Sequence, residues 1–363
     1  MTMQARLDAA IAAALGSRIV GCVVLVRRGG DLIHMRAAGF ADREAGRKMR
    51  ADAIFRLASV TKPIVAAAAL RMHDLGLLGL DDPVAKYLPD FRPASPDGTV
   101  SDISIRQLLS HSSGLTYGGG GDYARGLSGP LISLAENMAR LAGEPLVFAP
   151  GKGWEYGMSI DVLGGVIAAI NGSDLAAVVA RYVTGPLGMA DTAFGVGDPA
   201  RLAVPYADAT PPRLMGEPEG VVDSSGGITV FSPGRILEPA APQSGGAGMA
   251  GTAADVMALL EGLRAGGLFT SATRAAAFAN QIGDLERGPR DAGKRFGFLG
   301  AVVVDPVAAG TALPAGAVDW GGAWGHNWVI DRASQTSIVT CTNTAFEGCN
   351  GAFREDIFRA VFA

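Results

Sequence analysis

Charge is scarce in this chain. Of 363 residues only 18% are charged, with 31 basic against 35 acidic side chains and a formal net charge of −4. Average globular usage is about 25% charged residues. So little positive charge gives no electrostatic basis for gripping a phosphate backbone, which argues against nucleic acid as a partner. Cysteine is scarcer still: Cys22, Cys341 and Cys349 cannot build a full disulfide framework, so a reducing, cytoplasmic compartment is expected. The four histidines, His34, His73, His111 and His326, are not spaced as a metal pair, and no Cys/His cluster accompanies them. The expectation is a protein without metal or cofactor. No window approaches the ~18 uninterrupted apolar residues of a membrane span, so no membrane association is expected. Residues 1–17, with Arg6, Leu7, Ile11 and Leu15, read as an amphipathic, Ala-rich helix rather than a signal peptide. There is also no G-x-S-x-G elbow, no P-loop and no strand–G-x-G-x-x-G–helix unit.

What the chain does have is apolar bulk and glycine. The hydrophobic share is 48%, enough for a sizeable core and incompatible with intrinsic disorder. Glycine contributes 51 residues, about twice the usual share, in clusters such as Gly118–Gly121, Gly226-Gly227 and Gly245-Gly246. They mark turns and places where backbone approaches closely.

Along the chain, 19–27 is an apolar, β-branched run ending at Gly29-Gly30, and 31–40 reads as its antiparallel hairpin partner. A helix is expected from 59 to 77, and another short one starting at 80–83. The middle mixes helical patterns with loops at 116–130 and 205–246, whose length suggests lids or binding segments. A helix returns at 253–264. Strand-like stretches follow at 296–305, 317–331 and 336–343, and a closing helix at 351–363. Strands at both ends with helices between predict an α/β (α+β) fold: one antiparallel sheet flanked by helices and built from both termini, with a helical insertion. The expected division is 1–85 with 250–363 for the sheet part, and 86–249 for the mainly helical part with lid loops.

One short motif carries chemistry. Ser59-Val60-Thr61-Lys62 opens the helix at 59–77, and residues three apart share a helix face, so Lys62 lies beside the Ser59 hydroxyl. A serine hydroxyl is a poor nucleophile until a base takes its proton. A lysine serves as that base only where burial lowers its pKa, and the run 63–70 is apolar enough to bury it. Alone the motif is weak: 5 lysines and 19 serines give about 0.26 chance occurrences.

Its surroundings make it specific. Residues 55–62 (FRLASVTK) resemble the nucleophile segment of the serine β-lactamase-like superfamily, and 107–115 (QLLSHSSGL) resemble that superfamily's LLTHTSGL stretch. Pro150-Gly151 with Trp154-Glu155-Tyr156, Gly185–Met189, Gly245–Asp255, Asp319–Gly322 and Thr340–Asn343 are similar to further landmarks, in order, over nearly the whole chain. Within the superfamily the strongest resemblance is to family VIII carboxylesterases, which implies the β-lactamase/transpeptidase-like fold with the site between sheet and helices. The resemblance implies Ser59 as nucleophile, Lys62 as the residue helping to deprotonate it, and Tyr156 as the second base and acid. It implies an oxyanion hole at the backbone N–H groups of Ser59 and Ala323.

Two positions depart from the β-lactamase pattern. Trp320 of Trp320-Gly321-Gly322 stands where that pattern has the lysine of Lys-Thr-Gly, and Met158 stands where Tyr-x-Asn has asparagine. A pocket formed by Trp320, Gly321, Gly322 and Met158 is expected to suit small uncharged esters and to disfavour β-lactams. Ser159 could share the tyrosine segment's role. Tyr117, Trp324 and the Gly118–Gly121 loop are candidate pocket walls. His326 is either a substrate contact or a satisfied strand histidine; His34, His73 and His111 are expected to be structural. The leading expectation is a serine carboxylesterase; an amidase or D-amino-acid peptidase, a weak β-lactamase and a non-catalytic binding domain are its rivals.

Overall fold

Strand β1 (Gly21–Arg28) is an unbroken apolar run because both of its faces are covered. Cys22, Val24 and Val26 point into one core and Val23 and Leu25 into another, the period-2 alternation of a strand packed on both sides. Gly29 and Gly30, with φ of 62° and 94°, make the two-residue turn into β2 (Asp31–Asp42), a turn that demands left-handed backbone at both positions.

The structure, a computed structural model, describes residues 1–100, 102–118, 127–128, 131–223, 226–288 and 291–363. The remaining strands are β3 (Arg47–Lys48), β4 (Ile54–Arg56), β5 (Tyr206–Ala207), β6 (Arg213–Leu214), β7 (Glu219–Val222), β8 (Ile228–Phe231), β9 (Ala250–Thr252), β10 (Lys294–Phe296), β11 (Ala301–Val303), β12 (Val318–Gly322), β13 (His326–Asp331) and β14 (Thr336–Thr342). The main sheet is antiparallel throughout, in the order β10-β11-β12-β13-β14-β1-β2-β3. The chain's end thus pairs with its beginning, Cys22 opposite Thr342, and one sheet is built from both termini.

The helices are α1 (Met3–Ala14), α2 (Thr61–Asp74), α3 (Ile105–Leu109), α4 (Leu134–Ala142), α5 (Ser159–Asn171), α6 (Leu175–Val179), α7 (Ala253–Ala265), α8 (Ser271–Phe278), α9 (Glu347–Asn350) and α10 (Ala352–Phe362). Helices α1 and α10 cover one sheet face through Leu7, Ile11, Phe353, Ile357 and Phe358. The opposite face meets α2 and α7, and the apolar cluster there continues without a break into Ile160, Leu163 and Val166 of α5. No single helix among the described residues is long and apolar enough to cross a membrane.

Four local expectations change. The stretch 205–246 holds two short hairpins, β5–β6 and β7–β8, and a 3-10 turn, rather than one long loop. The strand-like 317–331 is two strands, because the chain reverses between Gly322 and His326. The stretch 296–305 is likewise divided between β10 and β11. The helix expected at 80–83 is a single 3-10 turn, Val84–Lys86, preceded by an Asp82 carboxylate that accepts the Gly79 N–H at 2.6 Å. Most of 116–130, including Gly119–Gly121, lies outside the described residues.

Candidate active site

The nucleophile segment is held by a small second sheet. β4 pairs with β9, and the Leu57 N–H donates to the Met249 carbonyl at 2.9 Å. Ala58 then takes φ of 45°, left-handed backbone that an L-residue adopts only under constraint, and starts a 3-10 turn (Ala58–Val60) that leads into α2. Ser59 sits in that turn and Lys62 in the first turn of α2, whose side chains from Thr61 to Leu70 are all buried. Gly322 lets β12 reach this turn: a Cβ there would lie 2.3 Å from the Leu57 carbonyl oxygen.

Lys62 is the hub. Its ammonium donates to Ser59 Oγ at 3.2 Å, to the Tyr117 hydroxyl at 2.8 Å and to the Gly246 carbonyl at 2.9 Å, which uses all three protons. Burial alone would disfavour the ammonium, as the sequence suggested. The facing Tyr117, Tyr156 and Asp161 and the hydrogen bond to Tyr117 outweigh it, so the Lys62 pKa lies above that of an ordinary lysine. Burial in the apolar run is therefore not enough to lower it: acceptors brought from distant segments favour the charged form.

Tyr156 is bracketed by His111. The Glu155 N–H donates to the His111 carbonyl at 3.0 Å and the Gly157 N–H to His111 Nδ1 at 3.4 Å, while the two rings pack with centroids 4.8 Å apart. That role needs a neutral imidazole, and burial, with Lys62 and Arg287 nearby, holds His111 well below the usual histidine pKa. On its other side Tyr156 meets Trp320, whose Nε1–H donates to the phenol oxygen at 3.1 Å. The Lys62 ammonium lies 4.7 Å from the Tyr156 ring centre.

Ser59, Tyr117, Tyr156, Trp320, Gly321 and Ala323 line one cavity of about 430 Å³, within the range of small-molecule sites. Met158 does not belong to it. The residue caps α5, and its side chain is 1% exposed in the apolar core, so the expected Met158 wall is corrected. Gly322 acts behind the wall, through its close approach to Leu57. Ser159 is buried against Ser113 at 2.9 Å, away from the cavity. Trp324 packs edge-on against Phe231 at 4.6 Å, beside the cavity rather than in its lining. His326 is a strand histidine: its Nε2–H donates to the Arg56 carbonyl at 2.7 Å, and burial pushes its pKa down to about 4. His73 bonds the Leu78 carbonyl at 3.1 Å, and His34 lies in β2.

Two features escaped the sequence reading. Tyr117 was only a candidate wall, yet it is a direct partner of Lys62; its place just beyond the Gly114-Leu115 landmark was the available signal. The cavity also has a charged wall. Asp319, fully buried, pairs with Lys294 at 3.0 Å and with Arg354, and Arg287 lies over the Trp154 ring at 4.6 Å while pairing with Asp291 at 3.3 Å. These charges are largely matched among themselves.

Comparison with known proteins finds relatives over the whole chain. A family profile described as β-lactamase matches residues 7–356. The chain is 46% identical to Esterase EstB of Burkholderia gladioli, over all of this chain and 96% of that protein. Among solved structures, EstCE1, a hydrolase with promiscuous acyltransferase activity, superposes with a TM-score of 0.95 at 38% identity, covering 99% of this chain and 98% of that one. Simvastatin synthase from Aspergillus terreus shares the fold, with a TM-score of 0.74 at 22% identity, covering all of this chain and 98% of its own. A β-lactamase profile matched over residues 7–356 and a relative 46% identical over all of this chain lead to one conclusion: the chain belongs to the β-lactamase family.

Proposed function

We propose that the protein is a serine carboxylesterase that hydrolyses small esters through an acyl-enzyme. The observation that carries this reading is the Lys62 ammonium, which touches Ser59 Oγ and Tyr117 and faces the Tyr156 ring. In the first step Ser59 Oγ attacks the ester carbonyl carbon and its proton passes to the phenolate oxygen of Tyr156. Lys62 stays an ammonium and favours that phenolate. The carbonyl oxygen takes up negative charge beside the backbone N–H groups of Ser59 and Ala323, each such donor contributing about 3 kcal/mol to a transition state of this kind. The C–O bond to the alcohol then breaks, and Tyr156 returns the proton to the leaving oxygen. Water repeats the sequence on the acyl-enzyme: Tyr156 takes its proton, the acid leaves and Ser59 regains a hydrogen.

The indole of Trp320 on the cavity wall supports an ester with apolar acyl or alkyl groups. No cofactor enters any step. A cytoplasmic location is part of the reading, supported by three unpaired cysteines. The test is turnover of p-nitrophenyl acetate, butyrate and octanoate, with nitrocefin in parallel, by the wild type and by Ser59→Ala and Tyr156→Phe. Short-chain ester turnover lost in both variants, with little nitrocefin turnover, is expected. Turnover that survives Ser59→Ala overturns the reading.

A further inference from the structure

Five residues beyond Tyr156, in the first turn of α5, sits a carboxylate that the mechanism above does not use. Asp161 is 1% exposed, and its Oδ1 accepts a hydrogen bond from the Ser244 hydroxyl at 2.5 Å. Its Oδ2 lies against the backbone of Gly246. A Cβ built on Gly246 would stand 2.2 Å from Asp161 Oδ2 and 3.3 Å from Lys62 Nζ, so only a bare glycine fits between carboxylate and ammonium. Gly245 is equally constrained: a Cβ there would meet the Ile160 carbonyl oxygen at 2.5 Å. The Ser244–Gly246 segment is thus docked on the first turn of α5, with Asp161 as its anchor, and the Gly246 carbonyl delivered by that docking accepts a hydrogen bond from Lys62 at 2.9 Å.

We infer that Asp161 is a positioning residue for the reaction, holding Lys62 as a cation and fixing the Gly246 carbonyl that accepts one of its hydrogen bonds. The inference rests on the serine-esterase reading and deepens it. A buried ammonium that donates all three of its N–H hydrogen bonds to fixed acceptors and faces a carboxylate is a poor base and a good stabiliser of phenolate. The groups facing Lys62 are Ser59, Tyr117, Tyr156, Asp161 and neutral His111; those facing Asp161 are Lys62, Ser244, Tyr117 and Arg235. Burial raises the Asp161 carboxyl, while Lys62, Ser244 and the Gly246 amide pull it back toward the ionised form. Burial disfavours the Arg235 cation, and the same carboxylate offsets part of that cost.

The test is Asp161→Asn, close in shape and without the charge, beside Ser244→Ala, which removes the anchor's hydrogen bond and keeps the charge. With p-nitrophenyl butyrate, Asp161→Asn is expected to lower kcat roughly tenfold or more, with KM within roughly twofold. The alkaline limb of its pH profile moves to lower pH, because Lys62 gives up its proton more readily. Ser244→Ala is expected to keep the alkaline limb at its wild-type position. An unmoved alkaline limb in Asp161→Asn overturns the inference. So does an acidic limb that moves to lower pH with activity preserved, the signature of a neutral lysine acting as base. Should Asp161→Asn not fold, the ¹⁵N shift of Lys62 Nζ in the wild type decides at neutral pH: an ammonium shift is expected, and an amine shift overturns the inference. Ser59→Ala separates the two levels, since turnover surviving there defeats the esterase reading itself, whereas a dead Ser59→Ala with an unmoved limb in Asp161→Asn defeats only the role of Asp161.

Discussion

Trp320 donates its indole N–H to the phenol oxygen of Tyr156 at 3.1 Å, and the two rings pack with centroids 4.9 Å apart. A neutral donor thus stands on the strand where the β-lactamase pattern has a lysine. It steadies the tyrosine without adding a second cation directly beside it. Trp320→Phe keeps the apolar wall and removes the donor. The expected outcome is a fall in kcat of about ten- to a hundredfold with KM little changed, since a hydrogen bond to a charge-bearing oxygen contributes about 1.5–3 kcal/mol. Steady-state kinetics on p-nitrophenyl butyrate checks it; an unchanged kcat would show that the contact is idle.

Tyr117 accepts one of the three Lys62 protons at 2.8 Å. Tyr117→Phe leaves that proton without its partner inside a buried site, at a cost of about 1–3 kcal/mol. Urea unfolding is expected to show a stability loss of that size together with a drop in kcat. A variant as stable and as active as the wild type would contradict the hub role given to Lys62.

His111 has φ of 58°, and its neutral ring accepts the Gly157 N–H. Asparagine tolerates left-handed backbone and valine does not. Unfolding measurements are expected to place His111→Val about 1–3 kcal/mol below His111→Asn. Equal stabilities would remove backbone conformation as the reason for a histidine there.

His326 predicts an acid-side pH dependence. Its folded pKa of about 4 lies below the ordinary 6.5, so the unfolded chain binds the proton more readily than the folded one. The contribution to stability is complete above the unfolded value and is lost as pH falls from about 6.5 toward 4, reaching about 3 kcal/mol in size. Urea unfolding at several pH values is expected to show a shallower acid decline for His326→Gln than for the wild type. Parallel declines would contradict the assignment.

Much of this fold could be read from the sequence, and the misses share a physical cause. The β1 run announced itself because an apolar, β-branched stretch ending in Gly-Gly has few other solutions. The hairpins between residues 205 and 231 did not, since strands of two to four residues among prolines and glycines carry no usable period. Met158 is legible as a motif position, but the direction of its side chain at the start of α5 is set by the fold. The surroundings of Lys62 are only half legible for a related reason: burial shows in an apolar run, but Tyr117 and Gly246, 55 and 184 residues away, are brought together only by the fold. Ser59 and Lys62 were legible because a helix makes neighbours of residues three apart.

The central claim is a covalent acyl group on Ser59. The most direct measurement is mass spectrometry of the protein quenched during turnover of p-nitrophenyl butyrate, followed by mapping of the peptide that contains residue 59. The account predicts a butyryl adduct on Ser59 in the wild type and none in Ser59→Ala. An adduct on another residue, or ester turnover persisting in Ser59→Ala, would contradict it.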